Sequence, residues 1–188
     1  MKQRTIYSIM VAGGVVGVVA AFLQTLEKLV LLQNKDAVLP CNFNSVFNCS
    51  TVLNAWQSSV FGFPNSIMCM ALFVIFATTA FVGAVGGTLP GKLRLSIQAL
   101  VLFTLGFALW FLWQSTFEIG ALCIFCIFCF GGLLLLNWGW LRLNASILPI
   151  GERGREFVQK VIVAGWDTLA WAALGALVGL TMAARFML

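Results

Sequence analysis

The sequence contains no histidine, and only 9% of its 188 residues are charged. The missing histidine removes the commonest general base and the commonest metal ligand. Redox or nucleophilic chemistry then falls to thiols or to the six Asp and Glu residues. The shortage of charge excludes more. With 61% hydrophobic residues, a soluble domain of this size would lack the polar surface needed to cover its core. Linkers are missing too: no polar, Ser/Gly-rich or charged stretch is long enough to be one. One integral membrane domain over 1–188 is therefore expected.

The apolar residues fall in blocks about as long as a bilayer is thick, since roughly 20 helical residues span the hydrocarbon core. These blocks cover 6–23, 63–85, 93–113, 121–141 and 161–187, the first extending as a more amphipathic helix through Glu27 and Lys28 to residue 32. Its basic start, Lys2 and Arg4, resembles a signal peptide. The apolar run is longer than a usual signal core and no clear cleavage site follows, so an uncleaved transmembrane helix is expected. The fold class is all-α, a polytopic bundle of five helices whose short connections suit antiparallel neighbours. The longest polar stretch, 33–62, holds Val46, Phe47, Val52, Leu53 and Trp56 at helix-like spacing, which predicts a short surface helix over 45–58. Segments 114–120 and 142–160 read as connections. Asp167, near the start of the fifth block, reads as solvated at the interface.

The net charge of +5 does not point to nucleic acid, because the basic residues sit in short segments between apolar blocks. Lys2, Arg4, Lys92, Arg94, Arg142, Arg153, Arg155 and Lys160 fall on one side, and Lys28, Lys35 and Arg185 on the other. The positive-inside rule then places the N-terminus in the cytoplasm and the 33–62 loop outside.

The six cysteines meet this topology at one interface. Cys41 and Cys49 lie in the outer loop, and Cys123 and Cys126 form Cys-Ile-Phe-Cys at the outer end of the fourth block. The helix pair lies about one turn apart and is close enough to bridge. A helix N-terminus there favours a thiolate. The loop pair reads as a flexible, exposed element able to meet a soluble partner and swing toward Cys123 by thiol–disulfide exchange. Either pair alone fits packing or a structural staple. Four thiols converging on the oxidising face fit electron transfer better. Metal binding by four thiolates is disfavoured by the Cys41–Cys49 spacing. Cys69 and Cys129 read as packing.

The run Cys41-Asn-Phe-Asn-Ser-Val-Phe-Asn-Cys49-Ser-Thr-Val-Leu, then Phe61-Gly-Phe-Pro-Asn65-Ser, then Leu122-Cys-Ile-Phe-Cys126 resembles the vitamin K epoxide reductase family, its bacterial members most of all. The resemblance covers roughly residues 6–141, and the fifth helix is similar to that of bacterial members without a fused thioredoxin domain. It implies a four-helix bundle around a quinone, menaquinone or ubiquinone, in a bacterial inner membrane. It implies that Cys41 exchanges with a separate extracytoplasmic thioredoxin-fold dithiol oxidase, that Cys49 relays to Cys123, and that Cys126 reduces the quinone. Asn65 matches the family asparagine that hydrogen-bonds a quinone carbonyl; capping a helix is its other reading. Phe130 stands where the family often has tyrosine, and Ala55 where many members have Ser or Thr. Both replacements remove a hydroxyl, which favours plain quinone reduction over epoxide reduction.

Phe117, Phe125 and Phe128 are candidates to line the quinone pocket along with Phe130, and Glu118 is a candidate proton acceptor. A non-catalytic membrane scaffold with a structural loop disulfide is the alternative from outside the enzymes.

Overall fold

The computed structural model describes residues 2–187. Seven α-helices follow one another: α1 (Gln3–Gln33), α2 (Cys49–Asn54), α3 (Asn65–Ala84), α4 (Gly91–Trp113), α5 (Ile124–Asn144), α6 (Glu152–Val163) and α7 (Trp166–Met187). Five of them are long and apolar enough to cross a membrane, α4 continuing through a π-helical turn to Ile119. No strand occurs among the described residues, and the expected all-α polytopic bundle is what the chain forms.

Glycine places α1 at the centre. Buried Gly13, Gly14 and Gly17 give it a face without side chains, and such faces let membrane helices approach closely. A Cβ on Gly17 would sit 2.2 Å from the Phe73 ring of α3. On the other side, a Cβ on Gly132 of α5 would meet the Gly13 carbonyl at 2.6 Å. α3 and α5 therefore pack directly on the α1 backbone, and α4 closes the bundle against α5. Phe73, Phe76, Met10 and Trp140 fill the interior, with Tyr7 edge-on to Trp140 at 6.3 Å between ring centroids. Polar side chains bind the helices where lipid offers no water: Asn144 Nδ2 on α5 donates to Gln98 Oε1 on α4 at 2.9 Å.

Three boundaries differ from the sequence expectation. The loop helix begins only at Cys49, because Asn44 Oδ1 accepts from the Val46 and Phe47 amides and holds them in a turn. Asn48 then caps α2 by accepting from Thr51 N at 3.1 Å. α2 buries Cys49, Val52 and Leu53 and leaves Thr51 and Asn54 exposed. Residue 114 continues α4 rather than leaving it, and Gly120 at φ +73° ends the π turn. Within 142–160, read as a connection, lies most of α6; its residues all remain at least partly exposed.

Asp167 also corrects the expectation. It is buried in the first turn of α7, not solvated. The antiparallel arrangement brings it to Arg142 near the end of α5, whose Nε and Nη2 donate to the two carboxylate oxygens at 2.5 and 2.8 Å. Arg142 also stacks 4.7 Å from the Trp138 ring centroid, and Trp138 Nε1 donates to Thr168 Oγ1. This cluster fastens α7, whose apolar flanks Leu169, Leu177 and Leu180 stay exposed and suit lipid.

Gly17→Leu drives a side chain into the Phe73 ring. It should cost about 1–3 kcal/mol from overpacking, read as a lower thermal midpoint of the protein in detergent.

Candidate functional site

One short backbone bridge assembles the site. Leu122 N donates to Val46 O at 2.7 Å, and Asn48 N donates to Leu122 O at 3.1 Å. This parallel bridge ties the loop to the residue before α5. It also explains why α5 starts at Ile124: 121–123 are held out as paired, extended chain, and Cys123 becomes the N-cap residue. The residues just past the bridge are Cys49 and Cys123. Both are fully buried, in one cluster with Cys41, Leu31, Leu39, Val52, Leu53, Phe111 and Ala121, against which Cys126 packs.

A disulfide joins Cys41 and Cys49, while Cys69, Cys123, Cys126 and Cys129 are free thiols. The loop pair is not the exposed, mobile element that its sequence suggested. Cys41 is 3% exposed and Cys49 0%, because Leu31, Leu39 and Leu53 cover them. Glu27 Oε2 of α1 lies 2.6 Å from Cys41 Sγ. Cys123 is held below the usual thiol range by a hydrogen bond from the Cys126 thiol, helped by the Cys126 and Phe125 amides, against the upward push of burial. A hydrogen bond to sulfur and the open amides of a helix start both favour the thiolate.

Cys126 borders a cavity between α1, α3, α4 and α5. Its walls are mostly apolar, with Phe73, Phe107, Phe111, Leu112 and Leu133, and polar groups converge from one side: Gln24, Lys28, Ser58, Asn65 and Ser66. Asn65 opens α3 and is buried there. Its amide Nδ2 donates to Gln57 O at 2.7 Å, and its Oδ1 accepts from Val60 N at 3.2 Å. It braces the 57–60 turn instead of capping α3, and it keeps one N–H uncommitted.

The aromatic candidates separate. Phe130 is buried in the core and does not line the cavity. Phe117 lies on the π turn, stacked on Trp113 at 4.2 Å, beside Thr181, Ala184 and Arg185 in a different groove. Phe128 is exposed, and so is Glu118. Phe73, Phe107 and Phe111 form the aromatic wall instead, which no sequence signal distinguished among 17 phenylalanines. Gln24 and Lys28 were also missed. Two long polar side chains four residues apart in an apolar helix were the available signal.

The vitamin K epoxide reductase family model matches residues 8–138. The chain belongs to that family. No curated protein and no solved structure matches it. Members are membrane oxidoreductases acting on thiols and quinones, and this multi-pass chain is one of them. The matched span contains most of α1, all of α2 to α4 and most of α5, and it stops before α6 and α7. The cavity fits what a vitamin K epoxide reductase family member needs for a quinone: an apolar slot whose polar rim offers N–H donors from Asn65 and Lys28 to a ring that carries two acceptor oxygens.

Cys126→Ala removes the thiol donor beside Cys123 and should raise the pH at which the Cys123 thiolate forms. Cys126→Ser keeps a donor and should hold it lower. Thiolate ultraviolet absorbance followed against pH distinguishes the two variants.

Proposed function

We propose that this chain takes two electrons from the dithiol of a separate thioredoxin-fold protein outside the cytoplasm and delivers them to a membrane quinone, supporting disulfide formation. The observation that carries the reading is the Val46–Leu122–Asn48 bridge, which ties the loop to the start of α5 with Cys49 and Cys123 in one buried cluster. A structural staple alone would not need a third, thiolate-prone cysteine in the same cluster.

The steps balance as exchange reactions. A partner thiolate attacks Cys41 Sγ, forming a mixed disulfide and releasing Cys49 as thiolate. The partner's second thiolate attacks its own bridged sulfur, so the partner leaves with a disulfide and Cys41 as a thiol. Cys49 then attacks Cys123 of an oxidised Cys123–Cys126 pair, releasing Cys126 on the cavity side. Cys41 attacks Cys49, which restores the loop disulfide and leaves Cys123 and Cys126 reduced. That is the distribution of bonds present here: loop pair oxidised, helix pair free. A quinone bound in the cavity would take two electrons and two protons as the Cys123 and Cys126 thiols close to a disulfide again, and would leave as the quinol. Asn65 and Lys28 would hold its oxygens, Phe107 and Phe111 would flank the ring, and Cys126 is the member of the redox pair that lines the cavity.

Burial of Cys41 gives the partner a task. The covering segment around Leu39 has to lift before a thiolate can reach the sulfur, so partner docking and exchange are coupled. The basic residues at the start of α1 (Lys2, Arg4), at the start of α4 (Lys92, Arg94), near the end of α5 (Arg142) and in α6 (Arg153, Arg155, Lys160) support a cytoplasmic N-terminus, with the cysteine end of the bundle on the oxidising side. The resemblance to bacterial members supports an inner membrane, with menaquinone or ubiquinone as acceptor.

Three outcomes are expected. Cys41→Ala combined with Cys126→Ala should accumulate a Cys49–Cys123 disulfide, seen by mass spectrometry of unreduced peptides. Cys49→Ala should retain a mixed disulfide between Cys41 and a thioredoxin-fold partner, and Cys126→Ala should reduce quinone-dependent partner oxidation to background. Full turnover in Cys126→Ala, or failure of Cys49 and Cys123 to join, would overturn the relay.

A further inference from the structure

Two of the cavity's polar lining residues, Gln24 and Lys28, lie one turn apart on α1. Gln24 is buried, and its Nε2 donates to Cys126 Sγ at 3.3 Å. Lys28 is 8% exposed and borders the same cavity. Its Nζ donates to Leu53 O and to Ser58 Oγ. An ammonium has three donors, so one N–H and the whole charge remain uncompensated. No carboxylate lines the cavity. The neighbouring Glu27 turns its carboxyl to Cys41, and the ion pair formed among the described residues joins Arg142 to Asp167 at the other end of α5. Placing an unpaired cation inside a bilayer is costly, and such residues usually face a partner or a functional cavity.

We propose that Gln24 and Lys28 stabilise the reduced Cys123–Cys126 pair from the cavity side of the bundle, Gln24 as hydrogen-bond donor to the Cys126 sulfur, whose own hydrogen points to the Cys123 thiolate, and Lys28 as counter-cation to the charge that the pair carries. Hydrogen bonds in such a chain polarise one another, and a disulfide sulfur is a much poorer acceptor. The pair therefore favours the reduced Cys123–Cys126 state over the disulfide. Gln24 acts as a positioning residue for Cys126. Lys28 answers the charge wherever in the cavity it resides, which is why its ammonium has no carboxylate of its own. The inference rests on the relay reading for its purpose, though its test uses neither partner nor quinone.

The full chain in lipid nanodiscs, free of quinone, is equilibrated with reduced and oxidised dithiothreitol at graded ratios, and the Cys123–Cys126 disulfide fraction is read by peptide mass spectrometry. Gln24→Met should move the equilibrium toward the disulfide by up to about tenfold, the upper size expected for losing one buried hydrogen bond. Lys28→Met should move it in the same direction, and Lys28→Arg, which keeps the charge, should stay within about twofold of the parent. If Gln24→Met does not fold, Gln24→Asn replaces it, its shorter amide falling short of the sulfur. Equilibria within about twofold of the parent in both the Gln24 variant and Lys28→Met would overturn the proposal. A shift in one of them alone keeps that residue and removes the other. Loss of partner oxidation with these shifts intact would instead count against the relay.

Discussion

Two backbone hydrogen bonds at Leu122 support everything that the redox centre does. In lipid-facing helices the backbone is satisfied internally, so a loop can be joined to a bundle only where a helix has not yet begun. Leu122 is such a place. Pairing with Val46 and Asn48 delays the start of α5, and the delay has three effects at once. It makes Cys123 an N-cap residue, it fixes the loop over the bundle end, and it brings Cys49 alongside. Were α5 to start three residues earlier, Leu122 O would accept from Cys126 N within the helix instead of from Asn48, and the loop would lose that anchor.

The helical frame was legible because its signal is long and repetitive. Blocks of apolar residues at bilayer length give five spans, and the structure keeps them, with shifts at the ends. What was not legible follows from short-range polar bonding. The Asn44 turn and the Asn48 cap decide where α2 begins, and both depend on which asparagine oxygen wins a given amide. The fate of Asp167 depended on a tertiary partner, Arg142, that lies 25 residues away in sequence and that no local pattern could assign.

The site divides in the same way. Cysteine spacing brought Cys41, Cys49, Cys123 and Cys126 to attention, because thiols are rare and chemically distinct. The aromatic residues could not be sorted, since a phenylalanine in lipid and one in a cavity have the same spacing. Phe117 and Phe130 accordingly lie away from the cavity that Phe73, Phe107 and Phe111 line. Loop exposure was misjudged for a different reason. A polar segment of 30 residues looks mobile by composition, yet Leu39, Val46, Phe47, Val52 and Leu53 pack onto the bundle while Val38, Phe43 and Trp56 stay exposed.

The attachment of α7 has a consequence for how this architecture tolerates change. The helix meets the rest of the molecule along one strip of α5 and at the π turn, and its polar fastening is the Arg142–Asp167–Thr168 cluster, which is far along α5 from the cysteines. None of its side chains enters the cavity wall. In engineering language it is a bolted-on strut rather than a beam of the frame. The end of α5 is thus a place where a different appendage can be grafted while the path for electrons keeps its packing.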